Sequence, residues 1–180
     1  MEVDKGQVII YLQPQNSAAE AAVALPQNDM RRVNLPSCTS ITESIHRDLG
    51  ETTPKIMALV DSISLDLRQA PRNPSSGYVF GSDEASCDVL LDRNNRQGIS
   101  RMSFAVNFNW TSNKLIIECL AKSGIYLEEG PRSTQPKCKE MRWLNPAITY
   151  RVTQGVVLFQ FRQVDRNTHE QRRYPVNVQA

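Results

Sequence analysis

The chain has 180 residues and a net charge of +2, from 21 basic and 19 acidic side chains. Hydrophobic residues make up 40% of it, which fits one soluble globular domain and argues against a disordered or membrane-embedded chain. A near-neutral chain does not sustain the broad positive field of a nucleic-acid binder, and no apolar run approaches the roughly 18 residues that span a bilayer. We therefore expect neither nucleic acid nor a membrane among its partners.

Potential metal ligands are sparse and scattered. The chain has two histidines and four cysteines, and no two cysteines form a Cys-x-x-Cys pair. Since metal ligands usually come at short spacings, we expect no metal site and no cofactor. The N-terminal Met-Glu-Val-Asp-Lys lacks the basic and apolar stretches of a secretory signal. We therefore expect an intracellular location, nucleus or cytoplasm, with free thiols at all four cysteines.

The N-terminal region predicts one strand followed by one short helix. Residues 8–12 read Val-Ile-Ile-Tyr-Leu, a run of residues that favour strands. Residues 17–25 are rich in alanine, and either Asn16 or Ser17 is suited to cap a helix there.

A long insertion follows this first strand. From residue 26 to about residue 54 the chain is polar, rich in serine and threonine, and only weakly periodic. Counting the short helix, the insertion covers about residues 13–62, and the sequence assigns it no role.

From residue 63 onward, short segments alternate apolar and polar residues with the period of two that is typical of half-buried strands. In the clearest case the predicted core face carries Met102, Phe104, Val106, Phe108 and Trp110. The predicted strands are 63–67, 78–80, 87–91, 102–110, 114–120, 125–127, 148–152 and 156–161. No long helices alternate with them, so the fold class is predicted to be all-β, an antiparallel β-sandwich. We expect one domain over residues 1–164 and a polar tail at 165–180.

No motif in the chain specifies a reaction. It has neither a Gly-x-Ser-x-Gly elbow nor a phosphate loop of the Gly-x-x-x-x-Gly-Lys type. We therefore expect a non-catalytic protein.

Four segments between residues 77 and 130 carry a family resemblance. They are Gly77-Tyr-Val-Phe-Gly-Ser82, Cys87-Asp-Val-Leu-Leu91, Gly98-Ile-Ser-Arg-Met-Ser103 and Lys122-Ser-Gly-Ile-Tyr-Leu127. In order and spacing they resemble the forkhead-associated (FHA) family. There an apolar strand ends in Gly-Arg, a Cys/Ser-Asp-Ile/Val strand follows, a Ser-Arg-x-His element opens the next strand, and Ser-Asn-Gly-Thr-x-Val comes later. The resemblance covers about residues 63–163 and extends loosely to the FHA domains ahead of some fungal serine/threonine protein kinases.

The resemblance implies a β-sandwich that binds phosphothreonine peptides through loops at one end of its two sheets. Such a site holds a phosphate dianion with hydroxyls, backbone N–H groups and at least one guanidinium. Ser100 and Arg101 fall on the Ser-Arg pair of the family. Arg96, in the loop just before Ser100, supplies a further cation.

Other positions depart from the family pattern. Ser82 falls where the arginine of Gly-Arg would be, and Ser103 falls at the structural histidine. Lys122 and Ser123 replace the hydroxyl residue and the asparagine of the later loop. The predicted phosphopeptide-binding residues are Ser100, Arg101, Ser82, Lys122, Ser123 and Arg96.

Two functions are consistent with this pattern. The first is phosphothreonine-dependent protein recognition by the non-catalytic, targeting part of a signalling protein such as a kinase. The alternative is a degenerate FHA scaffold that docks or forms a homodimer independently of phosphate. The three serines that replace family residues favour the scaffold, whereas Ser100, Arg101 and Arg96 favour phosphate recognition.

Overall fold

Two β-sheets enclose one hydrophobic core in the computed structural model, which describes residues 8–37, 58–93, 98–109, 111–112 and 114–163. A helix, α1 (Ser17–Val23), and a 3-10 helix (Pro26–Arg31) follow the first strand. The strands are β1 (Val8–Pro14), β2 (Arg32–Pro36), β3 (Leu59–Asp66), β4 (Tyr78–Gly81), β5 (Val89–Leu90), β6 (Phe104–Asn109), β7 (Lys114–Cys119), β8 (Tyr126–Glu129), β9 (Arg132–Thr134), β10 (Met141–Leu144), β11 (Tyr150–Gln154) and β12 (Val157–Gln163).

The strands divide into a seven-stranded and a five-stranded sheet. The first has the order β2-β3-β1-β12-β11-β8-β9 and the second the order β10-β7-β6-β4-β5. Every neighbouring pair is antiparallel except β4 and β5, which are parallel. The prediction of an all-β sandwich is therefore confirmed.

Aromatic side chains from both sheets meet in the core. Phe80 of β4 stacks on Phe104 of β6 with their ring centroids 4.5 Å apart. The Phe104 ring also contacts Phe161 of β12 across the sandwich, at 6.4 Å between centroids. Alternation places these rings inward, because successive residues of a strand point to opposite faces of the sheet. This packing fixes the positions of β4 and β6, whose ends carry loops with predicted site residues.

The predicted short helix is confirmed as α1, and its cap is Asn16. The Asn16 side-chain oxygen accepts a hydrogen bond from the Ala19 N–H at 2.9 Å. This contact satisfies one of the N–H groups that the first turn of any helix leaves unpaired.

The predicted insertion contains regular structure where it is described. Its polar part includes the 3-10 helix and β2, which pairs with β3 at the edge of the seven-stranded sheet. Buried Asn28 of the 3-10 helix donates to the carbonyls of Ala22 and Leu90 at 2.8 and 2.7 Å and accepts the Leu90 N–H at 2.9 Å. The insertion thereby joins α1 to β5. Residues 38–57 and the predicted tail lie outside the described residues.

The predicted face of β6 is correct in the middle of the strand and wrong at its start. Phe104 and Val106 are buried as expected. Met102 is 46% exposed, whereas Ser103, expected on the outer face, is fully buried. The regular strand begins only at Phe104, and Ser103 before it is buried by hydrogen bonds to the chain at the ends of β4 and β7. Trp110 lies outside the described residues.

Three of the four predicted free thiols are free. Cys87 and Cys119 are buried and Cys138 is exposed, while Cys38 lies outside the described residues. Burial raises the pKa of the Cys87 thiol to about 11, which keeps this thiol protonated at neutral pH.

Candidate functional site

Three loops that carry predicted binding residues meet at one end of the sandwich. They are the β4–β5 loop (residues 82–88), the described end of the β5–β6 loop (98–103) and the β7–β8 loop (120–125). Because β6 runs antiparallel to both β4 and β7, its start lies beside the ends of these two strands. Phe104, the first residue of β6, pairs with Phe80 of β4 and with the last residue of β7.

Buried Ser103 connects these loops. Its N–H donates to the Phe80 carbonyl at 2.7 Å, and its carbonyl accepts the N–H groups of Leu120 and Ala121, both at 2.9 Å. Its hydroxyl donates to the Ser100 carbonyl at 3.3 Å. Ser103 therefore holds the start of β6 to both neighbouring strand ends and shapes the turn that presents Ser100.

The side chain of Ser82 points into the loops. Its hydroxyl lies 3.2 Å from the Ile99 carbonyl and 3.3 Å from the Ser100 carbonyl, and its N–H donates to Ser100 and Arg101. A hydroxyl has a single proton to donate, so the Ser82 proton is engaged within the chain in this arrangement. Ser82 acts here as a brace between the β4–β5 and β5–β6 loops.

The backbone of Arg101 is held at the end of β4. Its carbonyl accepts hydrogen bonds from the N–H groups of Ser82 and Asp83, both at 3.1 Å, and from the Cys87 thiol at 3.1 Å. A Cβ atom added at Gly81 would lie 2.1 Å from this carbonyl oxygen. The close approach is therefore possible only because position 81 has no side chain.

The side chain of Arg101 is exposed and forms an ion pair. The guanidinium lies 3.0 Å from the Asp83 carboxylate, and 80% of the Arg101 side chain is exposed. Hydrogen bonds from the Ser86 hydroxyl and then from Arg101 hold the pKa of Asp83 below its usual range. Sequence reasoning missed Asp83 as a site residue. The pattern Asp83-Glu-Ala-Ser86 indicates a turn with a side-chain cap, but nothing in it signals a partner 18 positions away.

Ser100 presents a hydroxyl beside Arg101. The residue is half-buried, and within the part of the chain that the structure describes its hydroxyl has no hydrogen-bond partner. Its neighbour Ile99 is 1% exposed and anchors the loop in the core. Arg96, the remaining predicted residue of this loop, lies outside the described residues.

Lys122 and Ser123 lie in the β7–β8 loop, and both are exposed. Among the described residues, no ion pair involves Lys122. The Ser123 carbonyl accepts a hydrogen bond from the Gln135 side chain at 3.4 Å. The Ser103 carbonyl links the start of this loop to the turn that carries Ser100, so the structure brings Lys122 to the same end as Arg101.

A concave region lies away from this end. It is a groove of about 510 Å³ on the seven-stranded sheet, and Ile148, Gln160 and Arg162 are among the residues that line it. None of the predicted binding residues lines this groove.

Within the described ranges, no three His, Cys, Asp or Glu side chains are grouped as a metal site. The described helices include none that is long and apolar enough to cross a bilayer. Comparison with known proteins finds no family model that matches the chain and no significantly similar curated protein.

Proposed function

We propose that the chain is an FHA-type module that recognises phosphothreonine-containing proteins at the end of the sandwich formed by the three loops. The observation that carries the proposal is the juxtaposition of two loops. One presents the exposed Arg101 guanidinium and the Ser100 hydroxyl, for which the described residues provide no hydrogen-bond partner. The other presents exposed Lys122. As the non-catalytic part of a signalling protein such as a kinase, the module directs that protein to phosphorylated partners.

The chemistry of these groups matches a phosphate dianion. A guanidinium offers a planar fork of donors, a hydroxyl adds a directional hydrogen bond, and an ammonium adds a point charge. A micromolar peptide affinity corresponds to about 8 kcal/mol, and one charge-assisted hydrogen bond supplies about 1.5–3 kcal/mol of it. A few groups at one loop end therefore suffice, and the low net charge of the whole chain is compatible with phosphate binding.

Asp83 competes with a ligand for the Arg101 guanidinium. In the free protein its carboxylate engages the guanidinium at 3.0 Å. Exposed ion pairs are weak, and a phosphate dianion is a stronger acceptor than a carboxylate. We infer that a bound phosphate displaces Asp83 from Arg101, with the Ser86 hydroxyl remaining as a partner of the released carboxylate.

The proposal is tested by titrating the protein with one peptide in phosphothreonine and threonine forms. The phosphorylated form is expected to bind, and Arg101→Ala is expected to weaken it roughly ten- to a hundredfold. Arg151→Ala is the matched control, because Arg151 is also exposed and also pairs with a carboxylate, that of Glu128 at 3.9 Å. Equal binding of the two peptide forms, or equal effects of the two variants, contradicts the proposal.

A second variant, Asp83→Asn, is expected to change the peptide affinity in the opposite direction to Arg101→Ala. Asparagine keeps one oxygen, which can still accept the Ala85 N–H. Its amide nitrogen replaces the oxygen that accepts from Ser86 and Arg101, so the charge that competes for Arg101 is removed. We expect this variant to bind the phosphothreonine peptide more tightly than the native protein does.

A second candidate function is a degenerate FHA scaffold that docks or forms a homodimer without phosphate. The engagement of the Ser82 hydroxyl and of Arg101 within the chain favours it. This candidate requires a dimer in sedimentation velocity, or a bound partner. Neither phosphate nor the Arg101→Ala substitution should change the affinity of that association.

A further inference from the structure

The loop between β9 and β10 (residues 135–140) packs against the β7–β8 loop. Three hydrogen bonds join the two segments at the end of the sandwich, and a fourth joins the 135–140 loop to Cys119, the last residue of β7. They run from Gln135 Nε2 to the Ser123 carbonyl at 3.4 Å, from the Ile125 N–H to the Pro136 carbonyl at 3.3 Å, from the Cys138 thiol to the Leu120 carbonyl at 3.5 Å, and from the Lys139 N–H to the Cys119 carbonyl at 2.7 Å. The residues of the 135–140 loop therefore border the proposed phosphate site.

Positive charge collects on these joined loops. Lys137 and Lys139 are exposed on one loop and Lys122 on the other, and no ion pair of the described residues involves any of the three. Glu140, the acidic residue of the loop, has its carboxylate engaged by the loop backbone and by Arg142. Its carboxylate accepts the Lys137 backbone N–H at 3.0 Å and lies 3.7 Å from the Arg142 guanidinium. Three lysines are thus exposed at the same end of the sandwich as Arg101 and Ser100.

Lys139 also has an unusual backbone. Its φ is 71°, which makes it the one non-glycine residue with positive φ in the part of the chain that the structure describes. Glycine or asparagine adopts this conformation at lower energy than lysine does. Residues held in disfavoured backbone conformations concentrate at functional sites, so the outlier points to a role for the Lys139 side chain beyond forming the turn.

We propose that Lys122, Lys137 and Lys139 form a second anion subsite, which receives a carboxylate or phosphate side chain of the same peptide whose phosphothreonine lies at Ser100 and Arg101. The inference rests on the proposed function and adds a substrate class to it. The ligand is an anionic peptide, with acidic or further phosphorylated residues flanking its phosphothreonine on the side of β10. Lysine suits this task, since an ammonium on a flexible stem can bind anions that approach from many directions.

The test uses four peptides. Three contain phosphothreonine and differ in the flanking residue, which is neutral glutamine, glutamate or phosphoserine. The fourth has the glutamate flank and an unphosphorylated threonine. Glutamate and phosphoserine flanks are expected to strengthen binding over the glutamine flank. Lys139→Asn is expected to reduce that gain about two- to fivefold, the size of an exposed charge contact. Lys139→Arg should keep the gain. Lys114→Ala, at the other end of β7, is the control and should leave all affinities unchanged.

A second measurement separates this role from a structural one. Asparagine tolerates positive φ, so Lys139→Asn is expected to raise the melting temperature while it lowers affinity for the anionic flanks. A variant that loses affinity together with stability contradicts the assignment, because loss of the turn then explains the result.

The outcomes distinguish this inference from the proposed function. If the glutamine-flanked phosphopeptide binds but anionic flanks add nothing, or if Lys139→Asn keeps their gain, the subsite is overturned and the proposed function stands. If the glutamate peptide binds through Lys139 with or without phosphothreonine, the subsite stands and the proposed function fails. A single-stranded oligonucleotide that binds through these lysines more tightly than the phosphoserine peptide overturns the peptide assignment.

Discussion

At Gly81, the absence of a side chain allows the end of β4 to lie directly against the turn that carries Arg101. The Gly81 backbone and the Arg101 carbonyl are so close that a methyl group cannot fit between them without moving one of the two chains. This close approach, together with the hydrogen bonds to the Arg101 carbonyl, places Arg101 at the proposed site.

The substitution Gly81→Ala is therefore expected to destabilise the protein by about 3 kcal/mol, the upper part of the usual range for overpacking. The control is Gly98→Ala, which has open space around the added Cβ but a φ of +68°. It is expected to cost only about 1 kcal/mol, from the strained backbone. Chemical denaturation of both variants measures the difference. Equal losses of stability would show that the Gly81 contact relaxes easily.

Asp66, the last residue of β3, adds a dependence of stability on pH. Burial raises the pKa of its carboxyl. Hydrogen bonds from the Arg68 guanidinium and backbone N–H together lower the pKa by more than burial raises it, so the net pKa is depressed. A carboxyl whose folded pKa lies below its unfolded value stabilises the fold above the unfolded pKa, about 4, and loses this effect as pH falls through the folded value.

Asp66→Asn is accordingly expected to lower stability by about 1 kcal/mol at pH 7, since one charge-assisted contact becomes neutral. The gap between the native protein and the variant should close as the pH falls below about 4. Thermal denaturation across this range measures the gap, and a gap that is constant with pH would argue against an ionised Asp66 in the fold.

At the scale of elements, the 3-10 helix (Pro26–Arg31) stabilises the short edge strand β5. The strand has two residues, and among the described strands it pairs with β4 alone, on one side. Asn28 supplies the missing partner on the other side, through both the N–H and the carbonyl of Leu90. Since β5 leads into the loop that carries Ser100 and Arg101, the insertion supports the proposed site from outside the sheets.

Replacing Asn28 with alanine leaves the buried N–H and carbonyl of Leu90 without these partners. We expect a loss of about 3 kcal/mol and weaker binding of the phosphothreonine peptide. Asn34→Ala, at an exposed position of β2, should change stability by less than about 0.5 kcal/mol. Denaturation together with peptide titration measures both effects. Unchanged stability in Asn28→Ala would contradict the supporting role of the 3-10 helix.

The elements that sequence predicted are those with a local pattern. Alternation predicted β6 and β7, and the alanine-rich run behind a capping residue predicted α1. Strand β9 was not predicted, because all three of its residues are exposed and its sequence has no buried face. Strand β2 was not predicted, because its pairing with β3 brings together segments more than twenty residues apart.

The candidate site was predictable to a similar degree. The order of turn motifs predicted that the loops of Ser82, Ser100 and Lys122 belong to one site, and the register of β4, β6 and β7 brings them to one end. The inward turn of the Ser82 hydroxyl and the pairing of Asp83 with Arg101 were not predictable, because both depend on contacts between loops distant in sequence.

At the scale of the whole molecule, the net charge of +2 says little about any one end of the sandwich. Arg101, Lys122, Lys137 and Lys139 lie at one end, in loops that also carry the acidic Asp83, Glu84 and Glu140. The proposed recognition therefore depends on how individual side chains are placed at that end. The fold as a whole is a scaffold that fixes three loops on strand ends through Ser103 and supports them through Asn28.

The most direct test of this assignment is to map amide chemical shifts by NMR while the protein is titrated with a phosphothreonine peptide. We predict that the largest changes fall on residues 82–83, 98–103 and 120–125, and that the unphosphorylated peptide leaves these amides unchanged. Shifts centred on the groove of the seven-stranded sheet, or equal shifts with both peptides, would contradict it.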